Sequence, residues 1–187
     1  MKRRLDKKTR GPKRLEALFS KHGYDDYKWI DPKRIAVGQW VRMKCMFGCK
    51  NYDQCGTCPP NTPSVPECKA FFSGYKTGAV FHFAKRVDRP EDRFAWTQEV
   101  NRKLLDLERE VFLSGYYKAF LLFMDSCNLC ESCAGAKGKC NHPKLSRPTP
   151  ESMGVDVFAT VRKIGYPIDV LPRYSEEMNR YAFLLIE

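Results

Sequence analysis

The chain has 187 residues, which suits one domain or one domain with a small insertion. Hydrophobic residues make up 43% of it and aromatic residues 13%, which excludes a globally disordered protein. The net charge is +11, and the longest apolar runs are far shorter than a membrane span. Since no apolar segment of a secretory signal follows the basic first residues, we expect a cytoplasmic protein without a membrane partner.

The positive charge is concentrated at the start of the chain. Residues 1–14 hold eight Lys and Arg side chains and a single acidic residue, Asp6. We predict that this segment is a solvated, partly disordered tail, followed by a single α/β domain over 15–187. The tail could contact an anionic partner such as nucleic acid. We do not favour that interaction, because the rest of the chain is only weakly basic.

Helical and strand patterns alternate along the chain. Helices are predicted over 12–22, 65–73, 91–114 and 150–164, and strands over 27–30, 40–44, 79–84, 118–124 and 181–186. The third helix is the clearest, because apolar residues recur every three or four positions from Val100 to Val111. Ser64 and Glu67 form a capping-box pattern, and Thr149 followed by Pro150 is typical of a helix start.

A Gly-Tyr pair follows each of the four predicted helices. The pairs begin at Gly23, Gly74, Gly115 and Gly165. A glycine just past the last helical turn can adopt the left-handed conformation that ends a helix. We therefore predict a helix end at each pair, in most cases followed by a strand.

The central part of the chain has the pattern of a βαβ unit. Strand 79–84, helix 91–114 and strand 118–124 follow one another, so parallel strands are expected. The segments 120–124 and 182–186 are continuously apolar, as buried central strands are. The predicted fold class is α/β, a small mixed sheet with flanking helices and two cysteine-rich metal-binding loops. The two loops are expected beyond the carboxyl ends of strands, where sites in open α/β sheets gather.

The nine cysteines are the most informative residues. An odd number of cysteines and a reducing compartment both argue against a disulfide framework. Eight of them form two clusters of fourteen residues each: Cys45, Cys49, Cys55 and Cys58, then Cys127, Cys130, Cys133 and Cys140. This clustering favours metal ligation. The ninth, Cys68, is predicted to be a buried core residue on the helix after the first cluster.

The second cluster resembles a ferredoxin-type run. Cys127, Cys130 and Cys133 are separated by two-residue gaps, and one tight loop of this kind can bind three corners of a [4Fe–4S] cluster. Cys140 is the candidate for the fourth ligand. A single zinc requires four sulfurs about 3.8 Å apart, usually from two separate knuckles. Iron–sulfur binding is favoured here, with zinc or a set of reactive or structural thiols as alternatives.

The first cluster has looser spacing that matches no standard run. Cys58 directly precedes a proline, as the last cysteine of a ferredoxin run does, which favours a second four-cysteine iron–sulfur site. The Cys55–Cys58 knuckle also suits zinc. Ligands could be exchanged between the two clusters, as in two-cluster ferredoxins. His142 is a minor ligand candidate beside Cys140.

Taken together, these residues resemble a prokaryotic family of predicted metal-binding proteins, domain of unknown function 2284. The resemblance runs from about Val41 to the C-terminus. It is carried by Cys45, Cys49, Cys58-Pro59-Pro60, Cys127, Cys130, Cys133, Cys140, Arg147-Pro148, Glu151 and Gly154-Val155-Asp156. It implies metal binding through cysteines and specifies no activity.

We predict that the chain binds one or two [4Fe–4S] clusters through the eight clustered cysteines and passes single electrons to a redox partner protein. One alternative is a redox enzyme or enzyme subunit with an open iron corner, which fewer than four thiolates at one site would favour. Another is a zinc-stabilised interaction or nucleic-acid-binding module. No residue is assigned a catalytic role.

Overall fold

The computed structural model describes residues 11–173 and 175–187, so residues 1–10 of the predicted basic tail lie outside the described residues. The helices are α1 (Pro12–Lys21), α2 (Gln39–Gly48), α3 (Val65–Ser73), α4 (Asp92–Leu113) and α5 (Val157–Lys163). The strands are β1 (Tyr27–Ile30), β2 (Gly78–Lys85), β3 (Phe120–Leu122) and β4 (Met178–Leu185). No helix in the described ranges is long and apolar enough to cross a membrane.

The four strands form one sheet in the order β1-β2-β4-β3, and every neighbouring pair is antiparallel. The prediction of a mixed sheet is therefore wrong. Strands β2 and β3 do run in the same direction, since both are antiparallel to β4, but β4 lies between them. Of the two segments predicted as buried central strands, 182–186 is confirmed, because β4 lies inside the sheet and its last five residues are all buried. The prediction for 120–124 is wrong, because β3 lies at the edge of the sheet.

Helices cover both faces of the sheet. On one face, Leu15 and Phe19 of α1 and Leu104 and Leu107 of α4 are buried against the strands. On the other face, Cys68 and Phe72 of α3 pack with Val157 and Val161 of α5. The apolar stripe predicted for α4 is confirmed, since Leu104, Leu107 and Val111 are buried in the core that α4 shares with α1. The result is a three-layer α/β domain whose two sheet faces are both closed.

The Gly-Tyr pairs lie at helix ends, as predicted. Gly23, Gly115 and Gly165 have left-handed backbone angles, whereas Gly74 stays in the right-handed region. The tyrosine that follows each glycine is buried. Each pair therefore ends a helix and anchors the departing chain in the core.

Two predicted elements are wrong. Segment 40–44 lies in helix α2 rather than in a strand, because the apolar residues Trp40, Met43 and Phe47 follow a helical period over a longer window. The predicted helix 150–164 is divided into a 3₁₀ turn at Glu151–Met153 and helix α5. Gly154 causes the division, since its φ of 75° is left-handed.

Replacing Gly154 by alanine is expected to lower the free energy of unfolding by about 1–2 kcal/mol, the cost of a left-handed alanine. A Cβ there would also contact Val65 and Val37 at 3.4 and 3.5 Å. The control is Gly48→Ala, at the end of α2, where a Cβ meets nothing within 4 Å. That change should be neutral or stabilising by up to about 1 kcal/mol. Urea unfolding followed by circular dichroism compares the two variants, and equal effects would contradict the backbone argument.

Candidate metal centre

The two cysteine-rich loops meet at one end of the sheet. The first loop connects α2 to α3, and the second follows β3. The amide of Asn61 donates to the carbonyl oxygens of Cys55 at 3.3 Å and of Gly135 at 3.1 Å, and so joins the two loops. Gly56 packs so closely against Ala136 that an added Cβ would lie 3.1 Å from its carbonyl group. The cysteines of both loops are thereby brought together.

Five cysteine side chains line one small cavity between the loops: Cys55, Cys127, Cys130, Cys133 and Cys140. His142 lies at the same cavity. The sulfurs of Cys55 and Cys133 are 3.9 Å apart, although these residues belong to different sequence clusters. Cys55 Sγ also lies 3.9 Å from the carbonyl oxygen of Cys127. The grouping by position in the chain is therefore only partly kept in space, because Cys55 has joined the second cluster.

Two other cysteines of the first cluster, Cys45 and Cys49, lie away from this small cavity. Cys45 lies in the last turn of α2, not beyond a strand as predicted, and Cys49 directly follows the helix. Both line a second, much larger cavity. Cys58 lies between the two sites, since its thiol donates to Cys55 and is influenced by charge on Cys49 and Cys45.

The contact between Cys55 and Cys58 shifts the pKa values of the two thiols in opposite directions. The hydrogen bond from Cys58, aided by the Thr57 hydroxyl, lowers the pKa of Cys55 to about 5. The same hydrogen bond raises the pKa of Cys58. Burial raises the pKa of Cys45 and of Cys127. The hydrogen bond from Cys58 therefore favours the thiolate form of Cys55, which is the form that binds metals.

Helix α4 holds the second loop in place. The Asn101 amide is fully buried, accepts from Met124 N at 3.2 Å and donates back to Met124 O at the same distance. Asn128 donates to Phe94 O and to Thr97 Oγ1, both at 2.9 Å. The chain entering the cysteine loop is thus bonded to a rigid helix.

The far end of the same loop is fixed by a buried ion pair. Arg147 contacts Glu108 at 2.8 Å, and Glu108 also accepts from the Leu121 amide at 2.8 Å. Glu108 is 5% exposed. One carboxylate on α4 therefore connects strand β3 to the segment that leaves the cysteine loop.

The donor set fits a metal group bound through thiolates, since five sulfurs line one cavity and the thiolate form of one of them, Cys55, is favoured by a hydrogen bond. As positioned, no three His, Cys, Asp or Glu side chains in the described ranges converge on a single ion. The 3.9 Å between Cys55 and Cys133 is close to the spacing of two thiolates on one tetrahedral zinc, about 3.8 Å. In a cubane each iron takes one thiolate, so these two sulfurs would have to move apart.

Comparison with known proteins assigns the chain to a protein family. A family model described as "Predicted metal-binding protein (DUF2284)" matches residues 28–186. The chain belongs to this family. No curated protein and no solved structure matches it. The match starts within β1 and so includes all of the sheet except Tyr27, whereas the sequence motifs alone suggested a start near Val41.

Most of the non-cysteine residues on which the resemblance to the DUF2284 family rests have structural roles. Arg147 forms the buried pair with Glu108, and Pro148 O accepts from Phe123 N at 2.9 Å. Asp156 caps α5 by accepting from Ala159 N at 2.9 Å. Most of these residues therefore shape the segment after the cysteine loop. Glu151 instead lines the large cavity, where it is exposed.

Nothing in the sequence indicates that three charged residues meet at the large cavity. Arg93 lies at the start of α4, Asp125 lies in the segment that follows β3, and Arg180 lies at the start of β4. The order of the strands brings these residues together. Only Asp125 stands out in the sequence, because this charged residue lies between the apolar run of β3 and the first cysteine of the second cluster.

Cys68 and His82 lie away from the cysteine loops. Cys68 is fully buried, with its sulfur 3.4 Å from Pro63 O and 4.0 Å from Met153 Sδ. Its prediction as a core residue is confirmed. The ring nitrogens of His82 contact Asp26 at 2.6 Å and Asn179 at 2.7 Å, so this histidine is hydrogen-bonded at the sheet.

Replacing Asn61 by aspartate should separate the two loops. The change turns a donor into an acceptor that faces two carbonyl oxygens, with an expected cost of about 1–3 kcal/mol. The matched control is Asn141→Asp, an exposed position in the second loop, which should change stability by less than about 0.5 kcal/mol. Urea unfolding measures both values. A loss of the same size in both variants would show that added charge, rather than the lost clamp, matters.

Proposed function

We propose that this member of the DUF2284 family binds a [4Fe–4S] cluster at the small cavity and transfers single electrons to a partner protein. The observation that carries the proposal is the meeting of five thiols from two loops at one cavity. Three of them, Cys127, Cys130 and Cys133, also have the two-residue gaps that suit a cubane. Cys140 or Cys55 supplies the fourth ligand.

The surroundings of the thiols suit electron transfer. A bound cluster would supply a one-electron couple. Cys133 is exposed and Cys130 and Cys140 are half-buried, so a partner could approach closely. Lys137 and Lys139 lie between Cys133 and Cys140, and Lys50 follows Cys49. Positive charge at these positions offsets the negative charge of a thiolate-bound cluster and raises its potential.

A redox titration tests this function. Protein purified without oxygen is reduced with dithionite and examined by electron paramagnetic resonance, then reoxidised with a one-electron acceptor. We expect a reduced-cluster signal and the return of about one electron per cluster. A protein that shows no signal and returns no electrons would not support electron transfer.

A second candidate function is a redox enzyme with an open cluster site. It is favoured by the location of Cys55 at the small cavity, which leaves Cys45, Cys49 and Cys58 as a set of three. Cys45 and Cys49 line the large cavity, where an open iron corner would meet a substrate.

The Cys55→Ser variant distinguishes the two arrangements at the first site. If Cys45, Cys49 and Cys58 act as a set of three, this change leaves the iron at their site in place. If Cys55 is their fourth ligand, about four irons are lost from that site. A loss that comes instead from the small cavity is recognised with Cys140→Ser, which then loses no iron, because Cys55 rather than Cys140 completes the small-cavity site. Added cyanide provides a second readout. It shifts the electron paramagnetic resonance signal only of a cluster in which one iron has no cysteine ligand.

A further inference from the structure

The large cavity is a site in its own right. It lies at the end of the sheet where β2 and β3 finish and β4 begins, and its volume is about 1050 Å³. Its walls come from α2, the start of α4, the residue pair after β3, the start of β4 and the segment 151–158. Pockets of this size hold small organic molecules.

Two arginines share one aspartate at the polar end of this cavity. Arg93 Nε lies 3.1 Å from Asp125 Oδ2, and Arg180 Nε lies 3.1 Å from Asp125 Oδ1. Neither guanidinium contacts another carboxylate in the described part of the chain. The three side chains are largely withdrawn from water, and together they carry one uncompensated positive charge.

The contacts with Asp125 bring opposite charges together, but they do not form hydrogen bonds to the Nε donors of the two arginines. The Nε atoms of Arg93 and Arg180 are buried and have no hydrogen-bond partner within the described ranges, and the same holds for Asp125 Oδ2. A guanidinium presents parallel N–H groups that match the two oxygens of a carboxylate. Because these Nε atoms are buried against Asp125, a ligand carboxylate would accept from the outer N–H groups of the two guanidiniums, whose side chains are 27% exposed.

The charged side chains of the cavity, its two cysteines aside, also favour an anion. Four basic and three acidic side chains line it: Lys44, Lys50, Arg93 and Arg180 against Asp125, Glu151 and Asp156. Asp156 is occupied at the start of α5, where it accepts from Ala159 N. An excess of one positive charge matches a carboxylate better than a phosphate monoester, which carries about −1.5 to −2 at neutral pH.

Aromatic side chains form the apolar wall. Trp40 is 51% exposed, Phe47 77% and Phe94 38%, which is unusual for such large apolar groups. The guanidinium of Arg93 lies 4.9 Å from the centre of the Phe94 ring. Charge and aromatic surface are therefore presented side by side, which suits a flat apolar ligand with an acidic end.

We propose that this cavity binds an organic monocarboxylate with an aromatic or similarly flat body. The carboxylate contacts Arg93 and Arg180, and the body packs against Trp40 and Phe94. Because Cys45 and Cys49 line the same cavity, such a ligand would lie beside the first candidate metal site. The binding itself requires no particular metal, so its failure would leave the iron–sulfur proposal standing.

Calorimetric titration of the full chain, purified without oxygen and with its metal, tests the proposal. The probes are 2-naphthoate and the neutral, nearly isosteric 2-naphthamide. We expect naphthoate to bind about tenfold more tightly or better, the effect of charge-assisted hydrogen bonds. Arg93→Gln should weaken naphthoate about tenfold and leave naphthamide unchanged. The control, Arg89→Gln, removes an exposed arginine that pairs with Asp92 outside the cavity and should change neither affinity.

The variant Asp125→Asn provides a test in the opposite direction. It removes the competing carboxylate with almost no change of shape, and asparagine tolerates the φ of 61° at this position. Naphthoate should then bind several-fold more tightly, whereas a variant that merely disturbs the fold would weaken both probes.

Three results would overturn the proposal: no binding of either probe, equal affinity for both, or no change in naphthoate affinity in Arg93→Gln and Asp125→Asn. Tighter binding of phenyl phosphate than of naphthoate would overturn the carboxylate assignment.

Discussion

Replacing Cys130 by serine should remove about four irons and four sulfides per chain, because the change deletes one thiolate of the proposed cubane site. Cys130 lies at the small cavity with four other cysteines. A serine hydroxyl is a poor substitute for a thiolate, since iron–sulfur clusters are held by soft sulfur ligands. Iron and acid-labile sulfide are measured on protein purified without oxygen.

Cys68→Ala is the matched control for this experiment. Cys68 is also a cysteine but is fully buried in the core beside Met153. Its replacement should leave the iron and sulfide content unchanged, with a loss of stability of about 1 kcal/mol from the lost packing. Equal iron loss in both variants would show that the metal content reports general folding, and unchanged iron in Cys130→Ser would remove the small cavity from the site.

Replacing Glu108 by alanine should lower the free energy of unfolding by about 3–5 kcal/mol, as expected when one partner of a buried ion pair is removed. The change leaves Arg147 without its carboxylate and the Leu121 amide without its acceptor. It thereby loosens both β3 and the end of the second cysteine loop. Urea unfolding of the variant, followed by circular dichroism, gives the loss.

The control for this prediction is Glu110→Ala, two residues away on the same helix. Glu110 pairs with Lys21 at 2.9 Å, but both side chains are accessible to solvent. An exposed ion pair is worth less than about 1 kcal/mol, so this variant should stay close to the parent protein. If the two variants lost similar amounts of stability, the buried pair would not fix the loop as argued.

Local signals in the sequence predict most elements of the fold. Strand β1 and helix α3 have the predicted bounds, and α4 differs by one residue at each end. These segments have clear periodicity and caps, including the capping box of Ser64 and Glu67, which is present. Helix α2 was missed because its helical period is visible only when Phe47 is included with Trp40 and Met43.

Features that depend on distant parts of the chain could not be predicted. The insertion of β4 between β2 and β3 is decided by the last segment of the chain, after the βαβ pattern is complete. Spacing identifies the eight clustered cysteines, but the approach of Cys55 to Cys133 depends on how two separate loops pack. The same holds for Arg93 and Arg180, which only the sheet order brings to one aspartate.

The metal content of the protein is the most direct test of iron–sulfur binding. Iron, acid-labile sulfide and zinc are measured per chain after purification without oxygen, with a visible spectrum on the same sample. We predict about four irons and four sulfides for one cubane, or about eight of each for two, with a brown absorbance that bleaches on reduction. Stoichiometric zinc without sulfide would contradict it and would favour a zinc-stabilised interaction module instead.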